Sequence, residues 1–207
     1  MARRKAEHRS SQVGKEPQAQ GGGGDETEGE VSYTQASQGI LTLRGVRSVV
    51  MPLPAFTFLL QIVYEHSPEI VKYAFYDAGY RAGFATIQAQ GGLGGNPERT
   101  LLKMIDNFQR MGYGRLEVTK YDLSKPEIEV RGTHLFETDL AREANIFRTP
   151  RAVSHYTRGV LAGFVSCLLG EEVICEELQS EYRGDESSLF VIVPYQAGVT
   201  RALGSQP

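Results

Sequence analysis

The stretch that decides the fold is HYTRGVLAGFVSCLLG at residues 155–170, followed directly by EEVICEELQSEYRGDESSLFVIV at residues 171–193. The first run is apolar and ends at a glycine, as buried helices often do. Thr149-Pro150 is a suitable helix start, so we predict a helix over residues 149–169. The second run holds two strand-like segments, residues 171–182 and 188–195, around a polar turn, which predicts an antiparallel hairpin.

The chain before this stretch predicts three further helices and a second hairpin. Proline or a capping side chain precedes each apolar-periodic run, and Ser124-Lys125-Pro126 separates two short alternating runs. The sequence therefore predicts an α+β fold, with an antiparallel sheet of about four strands packed against a layer of four helices, and not a doubly wound sheet. The predicted ranges are short strands within residues 39–54, helices at 55–66, 68–90 and 97–111, and strands at 115–123 and 127–132.

The N-terminal residues have a different composition from the rest. Residues 1–30 contain no Leu, Ile, Phe, Tyr or Trp, so they lack the side chains that would offset the entropy of ordering them. We therefore expect residues 1–30 to form a disordered tail, residues 31–195 to form the folded domain, and residues 196–207 to form a C-terminal stub.

Composition excludes several classes of protein. The 207 residues carry a formal net charge of -3, which lacks the cationic footprint of a nucleic-acid coat. Two cysteines are too few for a disulfide scaffold. The basic start has no apolar segment of a secretory signal behind it, and no apolar run is long enough to span a bilayer. We expect a cytoplasmic protein with no membrane span and no nucleic-acid partner.

A family resemblance rests on RGTHLFETDLAR at residues 131–142 together with residues 155–193. The order is a strand, an acidic link, a helix containing Gly159-x-x-x-Gly163-Phe164, a stop at Gly170, and a hairpin with Gly184-Asp185 at its tip. This pattern resembles the 4-vinyl reductase domain family over residues 39–193. The family includes effector-sensing domains of bacterial activators that respond to phenolics, and it is related in fold to subunits of a vesicle-tethering complex.

The resemblance also implies a metal position that this sequence does not fill. In the aromatic-sensing branch, three cysteines and a glutamate hold a structural zinc, and those positions fall here at Ser154, Glu177, Ser180 and Ser188. A serine hydroxyl does not ionise near neutral pH and is a poor zinc ligand, whereas a thiolate is among the best. We therefore predict no metal, and we expect no cofactor.

The resemblance further implies a pocket for an apolar or aromatic ligand between the helices and the sheet. Small residues at four-residue spacing, Gly79 with Gly83 and Gly159 with Gly163, permit close helix contact or leave room for a ligand, so ordinary core packing is the competing interpretation. The predicted lining residues are Phe108, Met111, Val130, His134, Phe136, Tyr156, Val160 and Cys175.

Visible catalytic chemistry is sparse. His134 and His155 flank the carboxylates of the acidic link, which is compatible with a proton-transfer or metal site. A polar loop and helix start with ordinary surface charge is the favoured interpretation, because no HxxxH or His-x-x-Glu pair fixes ligand geometry. Gly-rich residues 91–95 lack the spacing of a nucleotide motif. Whether the chain is an enzyme stays open at this point.

Three hypotheses about function follow. The first is a stand-alone sensor domain that forms a homodimer and signals through a separate effector protein. The second is a component of vinyl-group reduction in (bacterio)chlorophyll biosynthesis. The third is a tethering-subunit-like scaffold without ligand.

Overall fold

The computed structural model describes residues 40–43, 46–89, 96–122, 127–146 and 152–196. The predicted tail at residues 1–30, the Gly-rich residues 91–95 and the hairpin turn at residues 124–126 lie outside the described residues. So does the predicted C-terminal stub, apart from Gln196. The predicted domain boundaries therefore stay a prediction.

The described residues form two sheets and five α-helices, which confirms the predicted α+β class. A small hairpin and two helices come first, then a third helix, a hairpin, two more helices and a final hairpin with a 3₁₀ turn at Glu181–Arg183. The bounds are β1 Leu41–Leu43, β2 Val46–Ser48, α1 Leu53–His66, α2 Pro68–Ala89, α3 Pro97–Arg110, β3 Arg115–Asp122, β4 Glu127–Thr133, α4 Phe136–Ala144, α5 His155–Leu169, β5 Val173–Gln179 and β6 Ser188–Pro194.

The main sheet is antiparallel, with the strand order β3-β4-β6-β5. Both predicted hairpins are present, and they join through β4 and β6, where Val130 lies opposite Phe190. Alternate residues of the two central strands point into a buried core, because successive side chains of a strand face opposite sides of the sheet. This core includes Ile128, Val130, Phe190 and Ile192, and it is covered by α2, α3 and α5.

Local sequence explains the start of each early helix. Pro52 and Pro54 occupy the start of α1, where proline's missing N–H is not needed for a helix hydrogen bond. At α3 the Asn96 side chain accepts a hydrogen bond from the Arg99 N–H at 3.0 Å, which satisfies one of the free donors of the first turn. Within the described residues, none of these helices is long and apolar enough to cross a membrane.

The segment between β4 and α5 differs from the prediction. The predicted acidic link contains a nine-residue helix, α4, so the helical layer has one more member than expected. Helix α5 begins at His155 and not at residue 149, since the backbone N–H groups of Val153 and Ser154 donate to the Glu177 carboxylate outside the helix. Asn145, in the left-handed conformation, ends α4.

Helices α2 and α5 lie in backbone contact through four glycines. A Cβ added at Gly159 would overlap the carbonyl oxygen of Tyr76, and one added at Gly163 would overlap that of Tyr80. The contact is reciprocal, because Gly79 and Gly83 approach the backbone of α5 in the same way. The four-residue spacing of these glycines therefore allows α2 and α5 to pack closely, which agrees with core packing and not with room for a ligand between these two helices.

Replacing Gly163 with alanine tests this contact. In an exposed helix interior, Gly→Ala stabilises by about 1 kcal/mol, because alanine loses less backbone entropy. Here we expect Gly163→Ala to lower the free energy of unfolding by about 1–3 kcal/mol, since the methyl group must force two backbones apart.

Chemical denaturation measures this difference, with Thr86→Ala on the exposed side of α2 as the control. We expect the control to stay within about 0.5 kcal/mol of the parent protein. A stabilised Gly163→Ala protein would contradict the contact.

Candidate functional site

Four aromatic rings meet where the C-terminus of α3, the start of α4 and the start of α5 come together. The ring of Tyr113 stacks on Phe108 with centroids 4.8 Å apart and on Tyr156 with centroids 5.6 Å apart. It also meets the edge of Phe136 at 5.4 Å. Three of the eight predicted lining residues, Phe108, Phe136 and Tyr156, therefore surround one tyrosine that the sequence did not single out. We call these four residues the aromatic cluster.

Tyr113 sits on a turn between two glycines with positive φ, Gly112 at 81° and Gly114 at 131°. Its backbone is held on both sides: its N–H donates to the Phe108 carbonyl at 3.4 Å, and its carbonyl accepts from the Phe136 N–H at 3.1 Å. Gly112 is exposed, and apart from its own chain neighbours no described atom lies within 4 Å of the position that a Cβ on it would occupy. The Tyr113 side chain thus stands on an anchored backbone, next to a glycine that faces open space.

The other predicted lining residues divide into buried and exposed groups. Val130, Val160 and Cys175 belong to the packed core beneath α5. Met111 is 60% exposed, just after α3. His134 is also exposed, and its N–H donates to the Glu181 carboxylate at 2.9 Å. The structure therefore brings the aromatic members together over an apolar core, with Met111 and His134 at the surface.

A surface groove of about 310 Å³ lies away from these residues. It runs between α3 and β3 and contains none of the eight predicted lining residues. Its lining mixes Leu101, Leu102 and Val118 with the charged Glu98 and Lys120. Because it is open to solvent and half polar, it lacks the enclosure typical of a small-molecule site.

Two buried carboxylates hold the start of α5. Glu137 of α4 is fully buried, and it accepts from the Tyr156 N–H at 2.7 Å and from the Thr157 N–H at 2.9 Å. The Thr157 hydroxyl donates to it as well, at 2.8 Å. A carboxylate is favoured there, because the N–H groups of a helix start are unpaired and carry partial positive charge.

Glu177 of β5 accepts the N–H groups that precede the helix, Val153 at 2.9 Å and Ser154 at 3.1 Å. Its other oxygen accepts from the Ser154 hydroxyl at 3.1 Å and from the Ser188 hydroxyl at 3.2 Å. Ser180 is also buried, and its hydroxyl makes no hydrogen bond within the described residues.

Three of the four positions implied for zinc are thus joined directly, around one carboxylate. The side chains do not suit zinc, since three of the four are serine hydroxyls and two of these donate to an oxygen of Glu177. Among the described residues, no three or more His, Cys, Asp or Glu side chains gather in a group that could hold a metal ion. Hydrogen bonds to Glu177 link the start of α5 with β5 and β6.

Burial changes the acidity of three side chains near this site. Loss of solvent raises the pKa of Glu137 to about 7, against the lowering effect of its three hydrogen bonds. Burial also raises the pKa of the Cys175 thiol, so the thiol is protonated at neutral pH and is a poor nucleophile. Burial is likewise the main cause of the raised pKa of Tyr156, and the neighbouring Tyr113 side chain adds to it.

The raised pKa of Glu137 predicts a pH dependence of stability. The folded-state pKa of about 7 exceeds the ordinary value of 4.5, so the folded state binds more protons than the unfolded state between these values. Stability contributed by Glu137 is complete below about pH 4.5 and is lost as the pH rises to about 7.

We expect the free energy of unfolding of Glu137→Gln to vary less than that of the parent protein across this window. Urea denaturation at several pH values measures both curves. Glu143→Gln, on the exposed side of the same helix, is the control and should follow the parent curve. Parallel curves for all three proteins would show that the raised pKa of Glu137 does not cause the pH dependence of stability.

The serine positions allow a direct test of the metal prediction. We expect the purified parent protein to carry far less than one zinc per chain, measured by elemental analysis. The triple variant Ser154→Cys, Ser180→Cys, Ser188→Cys should take up about one zinc, because three thiolates then join Glu177. Adding Glu177→Gln to the triple variant should weaken this uptake. One zinc per parent chain would show that the prediction is wrong.

No family model and no curated protein sequence gives a significant match to this chain. Among solved structures, the chain is similar to the phenol-responsive sensory domain of the transcription activator PoxR, which was solved with phenol. The TM-score is 0.68 at 18% sequence identity, with 82% of this chain and 89% of that chain covered.

Two further structures are more distant. A vinyl-4-reductase family protein from Methanocaldococcus jannaschii has a TM-score of 0.48 at 17% identity, covering 71% of this chain and 83% of that chain. A trafficking protein particle complex subunit 3 from Naegleria fowleri, covalently bound to palmitic acid, has a TM-score of 0.41 at 14% identity, covering 68% and 96%. The similarity to the PoxR sensory domain, with its TM-score of 0.68, confirms the fold that the resemblance implied.

Proposed function

We propose that this protein is a small-molecule sensor, and that its ligand is a single-ring aromatic compound that takes the place of the Tyr113 ring. The observation that carries the proposal is the aromatic cluster, in which Phe108, Phe136 and Tyr156 surround the half-buried ring of Tyr113, next to the exposed Gly112. Aromatic side chains prefer the stacked and edge contacts seen there, and a ligand ring of the same size retains them.

Displacement of Tyr113 requires little rearrangement of the backbone. The turn stays anchored through the Phe108 and Phe136 hydrogen bonds, while rotation about the side-chain bonds moves the ring toward the open space at Gly112. In this mechanism Tyr113 competes with the ligand for one site. The apparent ligand affinity is then the intrinsic affinity multiplied by the fraction of molecules in which the Tyr113 ring already lies outside the site, so a small fraction means weak binding.

The polar group of the site favours a hydroxylated ring. The Tyr156 side chain is half-buried, and its ring stacks on that of Tyr113 with centroids 5.6 Å apart. A ligand hydroxyl offers the Tyr156 hydroxyl a hydrogen-bond partner, whereas benzene offers none, and a half-buried hydroxyl without a partner costs about 1–3 kcal/mol. The fold shared with a sensory domain solved with phenol supports the same ligand class. We assign the deeper Val130, Val160 and Cys175 to the floor of the site, with Met111 and His134 at its entrance.

We propose that the sensor works in the cytoplasm as a homodimer and passes its signal to a separate effector protein. The two cysteines, both free thiols, support the cytoplasmic location, and exposed apolar residues of α1 such as Phe58 and Ile62 support the homodimer.

Phenol binding to the parent protein and to Tyr113→Ala tests the sensor proposal. We expect phenol to raise the thermal midpoint of the parent protein, and cyclohexanol at equal concentration to raise it less. Titration calorimetry should show that Tyr113→Ala binds phenol at least about fivefold more tightly, because no internal ring competes.

The control for this experiment is Leu168→Ala, which opens a cavity near the other end of α5. This variant should be less stable but should bind phenol as the parent protein does. Absence of phenol binding by both the parent protein and Tyr113→Ala would overturn the proposal. An equal gain in affinity by Leu168→Ala would show that any new cavity suffices.

A further inference from the structure

The two edge strands of the main sheet differ in how their backbones are covered. Three side chains bond to the backbone of β5, at distances between 2.9 and 3.1 Å. The pairs are Ser166 with the Val173 N–H, Arg158 with the Cys175 carbonyl, and Arg183 with the Leu178 carbonyl. An edge strand covered in this way is a poor template for a further strand, because its free donors and acceptors are already used.

The opposite edge strand, β3, is open by comparison. The Gln109 side chain accepts from the Leu116 N–H at 3.3 Å, near the start of the strand. Along residues 117–121, no described side chain bonds to the strand backbone. Alternate N–H and C=O groups of an edge strand point away from the sheet, so they are available to the backbone of another extended segment. A β-bulge between Val118 and Lys120 interrupts the strand, which keeps the paired part of such a segment short.

Hollows flank the open edge of β3 on both faces of the sheet. On the inner face lies the groove of about 310 Å³ between α3 and β3, whose apolar lining includes Leu101, Leu102 and Val118. On the outer face lies a smaller hollow of about 180 Å³, which we call the arginine hollow; its residues are Arg115, Glu117, Arg131 and Thr133. The side chains of an extended segment alternate between two faces, so a segment paired with β3 directs its side chains toward both hollows.

The arginine hollow carries an excess of positive charge. Its two guanidinium groups, on Arg115 and Arg131, form no ion pair with any described residue, and Glu117 is its single acidic member. On the same face, Lys120 is held by the Glu127 carboxylate at 2.9 Å. Arg115 and Arg131 occupy diagonal positions of the β3–β4 pair, where long side chains reach a common partner. A carboxylate between them is favoured, because guanidinium groups bind carboxylates through charge-assisted hydrogen bonds.

We infer that the β3 edge binds a short extended segment of the effector protein, with apolar side chains in the groove between α3 and β3 and acidic side chains at the arginine hollow. This inference rests on the proposed signalling to a separate effector protein and names the surface that the effector contacts. In this mode, main-chain hydrogen bonds give affinity and alternate side chains give specificity. A helix does not satisfy the open backbone groups of β3, because its own donors and acceptors are bonded internally. The open, half-polar groove also suits a peptide better than an enclosed small molecule.

NMR titration of the full chain with a synthetic peptide tests the inference. The probe has the eight-residue length of β3 and alternates valine with glutamate. We expect the amide signals of β3 and of the neighbouring side of α3 to shift. A peptide that alternates valine with lysine should bind at least about tenfold more weakly, since like charges then face Arg115 and Arg131. The valine–glutamate peptide with methylated backbone nitrogens should also bind more weakly, because it cannot donate to the β3 carbonyls.

Protein variants test the two hollows separately. Leu102→Glu places a charge in the groove at a side chain that is 48% exposed, and Arg131→Glu reverses a charge of the arginine hollow. Each should weaken binding of the valine–glutamate peptide at least about fivefold. Arg81→Glu makes the same charge change on the exposed side of α2 and is the matched control, which should bind as the parent protein does. Leu102→Ser provides a milder second variant should Leu102→Glu fail to fold.

The outcomes separate this inference from the sensor proposal. Absence of binding by the valine–glutamate peptide, or shifts confined to other parts of the protein, would overturn the β3 edge as the docking site. An equal loss of affinity in Arg81→Glu would overturn it too, since net charge alone would then explain the binding. Loss of self-association in Leu102→Glu would identify a second copy as the occupant and overturn the effector segment. Phenol binding by the same samples reports on the sensor proposal independently of the peptide.

Discussion

The start of α5 is the point on which the rest of the fold depends. Four backbone N–H groups, those of residues 153, 154, 156 and 157, donate to two buried carboxylates, one from α4 and one from β5. Removing a carboxylate from water is costly, and the hydrogen bonds together with the helix dipole offset part of that cost; the raised pKa of Glu137 reflects the remainder. Since α5 packs on the sheet, α2, α3 and α4, the two carboxylates fix the helix around which the other elements are arranged.

This anchoring explains how the chain keeps its shape with serines at the implied zinc positions. A metal ion draws several ligands together through one strong centre. Here Glu177 occupies a central place as an acceptor, with the Ser154 and Ser188 hydroxyls as donors. At the other end of the contact, glycines bring α2 against α5 without any polar group. Hydrogen bonds therefore position the start of α5, and close backbone packing against α2 positions the rest of the helix.

The spacing of apolar residues and the Gly, Pro and capping residues between elements were enough to predict both hairpins of the main sheet, the α+β class and four of the five helices. Each of these features depends on the local sequence pattern. Helix α4 was missed because its buried face includes Glu137, which reads as a solvent-exposed charge until its partners on α5 are known. Tyr113 was missed for a similar reason. Between Gly112 and Gly114 it reads as part of a helix stop, and two of its three ring neighbours, Phe136 and Tyr156, come from distant parts of the chain.

A chain of packed rings joins the proposed ligand site to α1. Tyr113 stacks on Tyr156, the Tyr156 ring lies 6.3 Å from Phe75, and Phe75 lies 6.2 Å from Phe56 on the inner side of α1. Contiguity alone does not establish coupling; it requires that the ligand favour one of two arrangements of α1. Where it does, the coupling is reciprocal, so dimer formation changes ligand affinity by the same factor as the ligand changes dimer affinity. Because close-packed rings shift together, displacing Tyr113 at one end gives α1 a physical route to respond at the other.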